Sequence, residues 1–233
     1  MNKEQSIEQV HHFMKDRLEE LRETRWWVIT GGPHTGKSAL IKNLNQRGYK
    51  TIGEAARVYI DLKLDKGRTI EQIRADEIEF QIDVLKMKDK VEDETPEKDL
   101  VFWDRGLDGD SSAYFSLSRR PKGYPFNIYD SGVSIVRKRR YQGIFLLDQL
   151  PSYEQDYARV EDKDKGAQIH QQIGFMYKLF GYEPIRVPVF PGGEAESVNQ
   201  RAQFIIDRVR KVDKKIPNLP YPFSIPIQPS LPI

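Results

Sequence analysis

The chain has 233 residues, 31% charged and 38% hydrophobic, with 37 basic against 35 acidic residues and a net charge of +2. That size and balance suit one sizeable α/β domain with a full core, and they carry no whole-protein nucleic-acid signature. The absence of cysteine excludes disulfides, thiolate catalysis and Cys-based zinc sites. No apolar run approaches the roughly 20 residues of a membrane span, and the first residues lack the apolar core of a signal peptide, so a cytoplasmic protein is expected.

Residues 1–24 are expected to form an N-terminal helical unit, in which Ile7, Val10, Met14, Leu18 and Leu21 make one apolar stripe. That stripe packs either on the core or on a second chain, which leaves a homo-oligomer open. His11 and His12 flank the stripe; adjacent residues do not share a helix face, so they read as surface histidines rather than metal ligands. The main domain is expected over 25–212. Its first strand is near 26–30 and its first helix near 37–47, ended by Gly48 at the C′ position. Tyr49–Gly53 reads as the second strand, followed by a helix over 54–64 that Lys66-Gly67 breaks. Thr69 caps a long helix to about 89, with Glu71 and Gln72 in its first turn.

A charged turn over Glu92–Lys98, containing Pro96, precedes the third strand, Leu100–Trp103, which ends at Asp104. A helix is expected over 108–118, then an irregular basic stretch to 140, the fourth strand at Gly143–Leu147, a polar loop and a helix to about 180. The fifth strand is expected at Glu183–Phe190 and the last helix over 194–212. Residues 216–233 hold six prolines, so the tail over 213–233 forms no helix. Alternating strands and helices predict a three-layer α/β sandwich: a five-stranded, mainly parallel sheet with helices on both faces. Ligands of such sheets bind at the carboxyl ends of the strands.

The first strand ends in Gly31-Gly32-Pro33-His34-Thr35-Gly36-Lys37-Ser38, which fits the P-loop pattern G-x-x-x-x-G-K-[ST]. Its glycines let the backbone wrap a phosphate, and the following helix adds a positive N-terminus. Gly31 to Ala39 are therefore the candidate nucleotide-binding residues, for ATP or GTP. Lys37 is expected at the β- and γ-phosphates and the Ser38 hydroxyl at Mg²⁺. A Gly-rich turn that binds nothing is the bland alternative. The apolar Trp26–Thr30 before the loop and the stripe Ala39-Leu40-Ile41-x-x-Leu44 after it argue against that alternative.

The second strand ends at Glu54 and the third at Asp104 and Arg105, so the topology rule brings these residues towards the phosphate site. Asp104 suits support of Mg²⁺, Arg105 a fork onto an anionic or hydroxylated acceptor, and Glu54 acceptance of a proton from a substrate hydroxyl. A helix cap or surface charge is the alternative for each. The loop Pro151–Asp162 is polar and aromatic, as a kinase-like lid would be, with Arg159 as its transition-state arginine or, alternatively, paired with Glu161 or Asp162. The basic stretch 119–140, with Tyr124, Phe126 and Tyr129, is open between nucleic acid, a phosphorylated small molecule and a solvated loop.

Phosphate loop, Gly-Tyr-x-x-x-Gly-Glu-Ala-Ala-Arg, Phe-x-Asp-Arg-Gly, Phe-Leu-Leu-Asp and Asp-Tyr-x-Arg-x-Glu occur in order over about residues 25–210. In this the chain resembles the P-loop AAA-type ATPase and kinase family. Relatives of that family include the nicotinamide-riboside kinase domain of bacterial NAD regulators and the insect TRPL-translocation-defect nucleotide-binding protein. The resemblance implies a layout similar to nucleoside and nucleotide kinases, with Glu54 as base, Asp104 and Arg105 serving metal and substrate, and Arg159 as the lid arginine. One departure is Asp-Arg-Gly where nucleoside kinases usually carry Glu-Arg-Ser.

Transfer of a γ-phosphoryl group from ATP–Mg²⁺ to a small nucleoside- or nucleotide-like acceptor is the function expected first. Nucleic acid is not the expected partner. A nucleotide-dependent switch with slow hydrolysis is the second reading, although the guanine motif Asn-Lys-x-Asp is absent. A mechanical AAA+ ATPase would need more chain after the fifth strand.

Overall fold

Residues 21–118, 138–151 and 163–214 are described by the computed structural model of the protein. In chain order the elements are β1 (Arg22–Glu23), β2 (Trp26–Thr30), α1 (Lys37–Gln46), β3 (Lys50–Ile52), α2 (Ala55–Leu64), α3 (Ile70–Ile73) and α4 (Glu77–Glu94). They continue with β4 (Val101–Asp104), α5 (Asp108–Ser118), β5 (Arg139–Arg140), β6 (Gly143–Leu147), α6 (Lys163–Leu179), β7 (Ile185–Val187) and α7 (Glu194–Val212).

Every residue of β2 is buried, as a central strand of a parallel sheet requires. The sheet runs β3-β4-β2-β6-β7, all parallel. Alternation along the strands sorts the core into two layers. Trp26, Val28, Val101, Trp103 and Ile144 face α5 and α6, where Ala113, Ile173 and Met176 meet them. Trp27, Ile29, Phe102 and Phe145 face the other way, onto Leu40 and Leu44 of α1 and Ala202 and Ile205 of α7. The expected three-layer sandwich is therefore present. A separate apolar cluster, Ala55, Ile60, Ile73, Phe80 and Val84, joins α2, α3 and α4 beside the sheet.

Gly48 closes α1 as expected. At φ 85° its N–H donates to Asn45 O and that of Tyr49 to Leu44 O, the paired bonds of a Schellman turn.

Four boundaries differ from expectation, the simplest being the fifth strand, expected over 183–190 and observed as Ile185–Val187. The helix drawn over 69–89 is two helices: Thr69 caps α3 in a reciprocal box with Gln72, and Asp76 caps α4 by accepting from the N–H groups of Ile78 and Glu79. The charged turn after it starts later than predicted, since α4 runs to Glu94 before Pro96 stops it. The helix expected to reach residue 24 does not do so, because Arg22–Glu23 pairs in parallel with Arg139–Arg140. Ion pairs of Arg22 and Arg139 to Glu97, and of Lys138 to Asp89 and Asp93, fasten that small ribbon to the end of α4 and the turn beyond it.

The N-terminal stripe as far as Leu18, the prolines of the tail, the basic residues 119–137 and the lid residues 152–162 with Arg159 lie outside the described residues. Of the basic stretch, Lys138 and Arg139 are engaged with the acids of α4 and its following turn.

Candidate active site

The phosphate loop turns sharply between β2 and α1. Gly31 (φ 144°) and Gly36 (φ 75°) adopt left-handed-side conformations that L side chains rarely take, and His34 (φ 59°) joins them at a cost of about 1–2 kcal/mol. A Cβ on Gly31 would stand 2.9 Å from Leu147 O, so the loop also needs glycine there for space. Gly36 occupies the N-cap of α1 without a side-chain cap, and no acidic residue sits in the helix's first turn, leaving that positive terminus suited to an anion. Lys37 is buried and folds over the loop, its Nζ donating to Gly31 O and Gly32 O at 2.9 Å each. Ser38, next in the helix, is exposed.

Asp104 is paired in register with Ile29, which sets it beside the base of the loop. Its Oδ1 is buried and has no hydrogen-bond partner among the described residues. Burial and the nearby Glu54 carboxylate push its pKa up to about 6, against the pull of Lys37 and Arg105. At Arg105 the backbone turns left-handed (φ 69°), the chain leaves β4, and the guanidinium swings back under the loop. Arg105 Nε donates to Glu54 Oε1 at 2.7 Å; its Nη1 donates to Gly31 O at 3.1 Å and to Asp110 Oδ1 at 3.0 Å. Glu54 holds the N-cap position of α2, but its side chain makes no capping bond. Burial raises its pKa, yet the charges of Arg105 and Lys37 outweigh that and bring it to about 2, so the group stays ionised.

Lys37, Glu54, Asp104 and Arg105 thus share one electrostatic neighbourhood, as expected from the strand ends. Sequence reasoning missed three further residues. Asp110 is fully buried and accepts from Thr30 Oγ1 (2.6 Å), Tyr177 OH (2.7 Å), Gly106 N–H (2.9 Å) and Arg105. A carboxylate in the first turn of the helix after the third strand was the signal available for it. Arg201 of α7 is 2% exposed and donates to Thr35 O, Asp148 O and Pro188 O, tying the phosphate loop to the two strand ends beside it. Lys88 of α4 is buried and donates to Gly106 O at 2.8 Å; burial pulls its pKa down.

A cleft opens beside the loop, between α2, α4 and α5. Ile60, Phe80 and Val84 form its apolar wall, while Pro33, Glu54 and Arg105 form the end towards the phosphate loop. Its empty volume, counted to the open mouth, is about 720 Å³. Arg105 Nη2 makes no hydrogen bond among the described residues, its guanidinium lies over the Tyr114 ring at 5.2 Å, and Arg105 lines this cleft.

Parallel order, phosphate loop and lateral cleft define a P-loop kinase-like α/β protein. Residues 26–197 match the family profile described as an AAA domain, and the chain belongs to that family. A search of curated proteins gives no match. Among solved structures, the fold is similar to deoxyadenosine kinase from M. mycoides (13% identity, TM-score 0.54, 81% of this chain and 100% of that one). It is also similar to thymidylate kinase from Ehrlichia chaffeensis (11%, 0.53, 81% and 99%). A third similar structure is the NadR protein in complex with NR (17% identity, TM-score 0.58), where the alignment covers 91% of this chain but 58% of NadR.

No group of three or more metal-ligating side chains occurs among the described residues, and no described helix is long and apolar enough to cross a membrane.

Proposed function

We propose that the protein transfers the γ-phosphoryl group of ATP to a hydroxyl of a small nucleoside- or nucleotide-like acceptor. The observation that carries this reading is the cleft with an apolar wall that shares Pro33, Glu54 and Arg105 with the phosphate-loop end of the sheet. A protein that only bound and hydrolysed nucleotide would have no need of it. The kinase neighbours support the same reading.

In this scheme the residues from Gly31 to Ala39 cradle the triphosphate, and Lys37 releases its loop carbonyls to meet the β- and γ-phosphates. Mg²⁺ fits the donor set, with the Ser38 hydroxyl and the unpartnered Asp104 Oδ1 as its protein oxygens. Magnesium is commonly held by one or two protein oxygens plus substrate phosphates, so a larger carboxylate cluster is not required. The metal would neutralise charge developing on the transferred group. Arg105, fixed by Glu54 and Asp110, presents Nη2 to the acceptor. With a pKa near 2, Glu54 is a weak base; it aligns the acceptor hydroxyl and takes its proton late, which a loose phosphoryl-transfer transition state permits. Arg159 is the proposed lid arginine.

The test is a binding titration with ATP and GTP, followed by a screen of nucleoside and nucleotide acceptors for phosphorylated product. Product formation that Lys37→Ala abolishes, with the fold intact by circular dichroism, supports the proposal. Binding with bare hydrolysis and no acceptor product would establish the switch reading instead.

A further inference from the structure

Gly32 sits between two features of α6. Its N–H donates to His170 Nδ1 at 3.3 Å, and a Cβ placed on it would stand 2.8 Å from both Gly166 O and His170 Cβ. The phosphate loop is therefore pressed onto α6 through a residue that admits no side chain. The next residue, Pro33, has no N–H, so the imidazole takes the last backbone donor before the loop bends towards the cleft. An imidazole nitrogen accepts only when it carries no proton, which fixes the other proton on Nε2.

We infer that His170 is a positioning residue for nucleotide binding: its neutral imidazole holds the phosphate loop on α6 through Gly32. The inference rests on the nucleotide-binding part of the proposed function and adds to it a residue outside the loop and outside the strand ends. Several surroundings favour the neutral form. Burial lowers the histidine's pKa, Lys37 of α1 and Arg186 of β7 lower it further, and Asp148 after β6 opposes them. Asp148 is itself paired with Arg186 at 2.6 Å. Protonation adds a second donor facing the Gly32 N–H, so the contact turns from attractive to repulsive.

The sign follows from the direction of the shift. With its folded pKa below the usual value of about 6.5, His170 is neutral in both folded and unfolded chains above that pH. The contact is fully present there, and it is lost as pH falls through the folded pKa.

The experiment titrates full-length wild type, His170→Asn and His170→Phe with Mg·ATP and Mg·ADP from pH 5.5 to 8. Asparagine places an amide oxygen as an acceptor that does not titrate; phenylalanine fills the space without one. At pH 7.5, His170→Phe is expected to bind about 3- to 10-fold more weakly, the value of one neutral hydrogen bond, while His170→Asn stays near wild type. The ratio of wild-type to Asn affinity is expected to fall as the pH is lowered below about 6.5. Taking that ratio cancels the titration of the nucleotide and of Asp104, which both proteins share. Equal binding by wild type and His170→Phe, with a pH-independent Asn ratio, overturns the inference while leaving nucleotide binding intact. Should His170→Phe fail to fold, the Asn ratio decides alone. A wild type that binds neither ATP nor GTP removes both the inference and the reading beneath it.

Discussion

Replacing Asp110 by alanine is the sharpest stability test of the site's construction. The side chain is 0% exposed and accepts four hydrogen bonds, from Thr30, Arg105, Gly106 and Tyr177. Deleting the carboxylate leaves the hydroxyl protons of Thr30 and Tyr177 without their acceptor, leaves Gly106 N–H only the longer bond to Tyr177 OH at 3.2 Å, and takes from Arg105 one of its two carboxylate partners. Breaking a buried ion pair of this kind costs about 3–5 kcal/mol, because the surviving charge stays desolvated. For a chain of this size each kcal/mol moves the midpoint by about 2–4 °C, so the variant is expected to melt roughly 6–20 °C lower. Asp110→Asn keeps the shape but only one of the two acceptor oxygens, setting an NH2 against two donors, and should lose about 1.5–3 kcal/mol. Urea unfolding followed by fluorescence is well suited, because Trp26, Trp27 and Trp103 are all buried in the strands beside the site. An Asp110→Ala protein within 1 kcal/mol of wild type would mean that the four bonds are not worth what desolvation demands, and the account of Arg105 positioning would fail.

Glu92 supplies a pH prediction. It is buried at 3% exposure, and burial raises its pKa from 4.5 to about 7, with the Tyr141 hydroxyl bonded to it and opposing the shift. The folded chain holds this proton more tightly, so wild-type stability falls as pH rises from about 4.5 to about 7. Glu92→Gln removes that slope and should gain on wild type by on the order of 1–3 kcal/mol between pH 5 and pH 8; parallel denaturation curves at the two pH values check it. Arg201→Ala strands carbonyls of Thr35, Asp148 and Pro188. It is expected to cost about 2–4 kcal/mol and to weaken Mg·ATP binding, since Thr35 belongs to the phosphate loop; an unchanged dissociation constant would count against its role there.

The parts of this molecule that could be read from sequence are those that local chemistry specifies. The fourth strand and the helices over 108–118 and 194–212 match their expected bounds, since apolar period and punctuation agree there. The fifth strand was drawn as 183–190 and is three residues long, because an edge strand pairs on one side only and its neighbour β6 limits the ladder. The break between α3 and α4 was missed although both caps were present: Thr69 masked the second start at Asp76, where a polar Arg-Ala-Asp run interrupts the stripe. At the site, Lys37, Glu54, Asp104 and Arg105 were reachable because a topological rule gathers strand ends. Arg201 and His170 were not, for their partners at the phosphate loop lie 166 and 138 residues away and no spacing encodes such contacts; Asp110 offered only its place in the first turn of a helix, with Thr30 80 residues away.

The satellite cluster of α2, α3 and α4 has a consequence for how this fold can change. Its apolar contacts, around Ile60, Phe80 and Val84, are separate from the two layers that sandwich the sheet, yet the same three side chains form the cleft's wall. Packing that is not shared with the main core can be altered, or opened locally, without disturbing the elements that hold the phosphate loop. Under the proposed function, ligand choice and phosphate handling are separable inheritances in this chain: one wall can drift to suit a new guest while the anchoring machinery stays as it is.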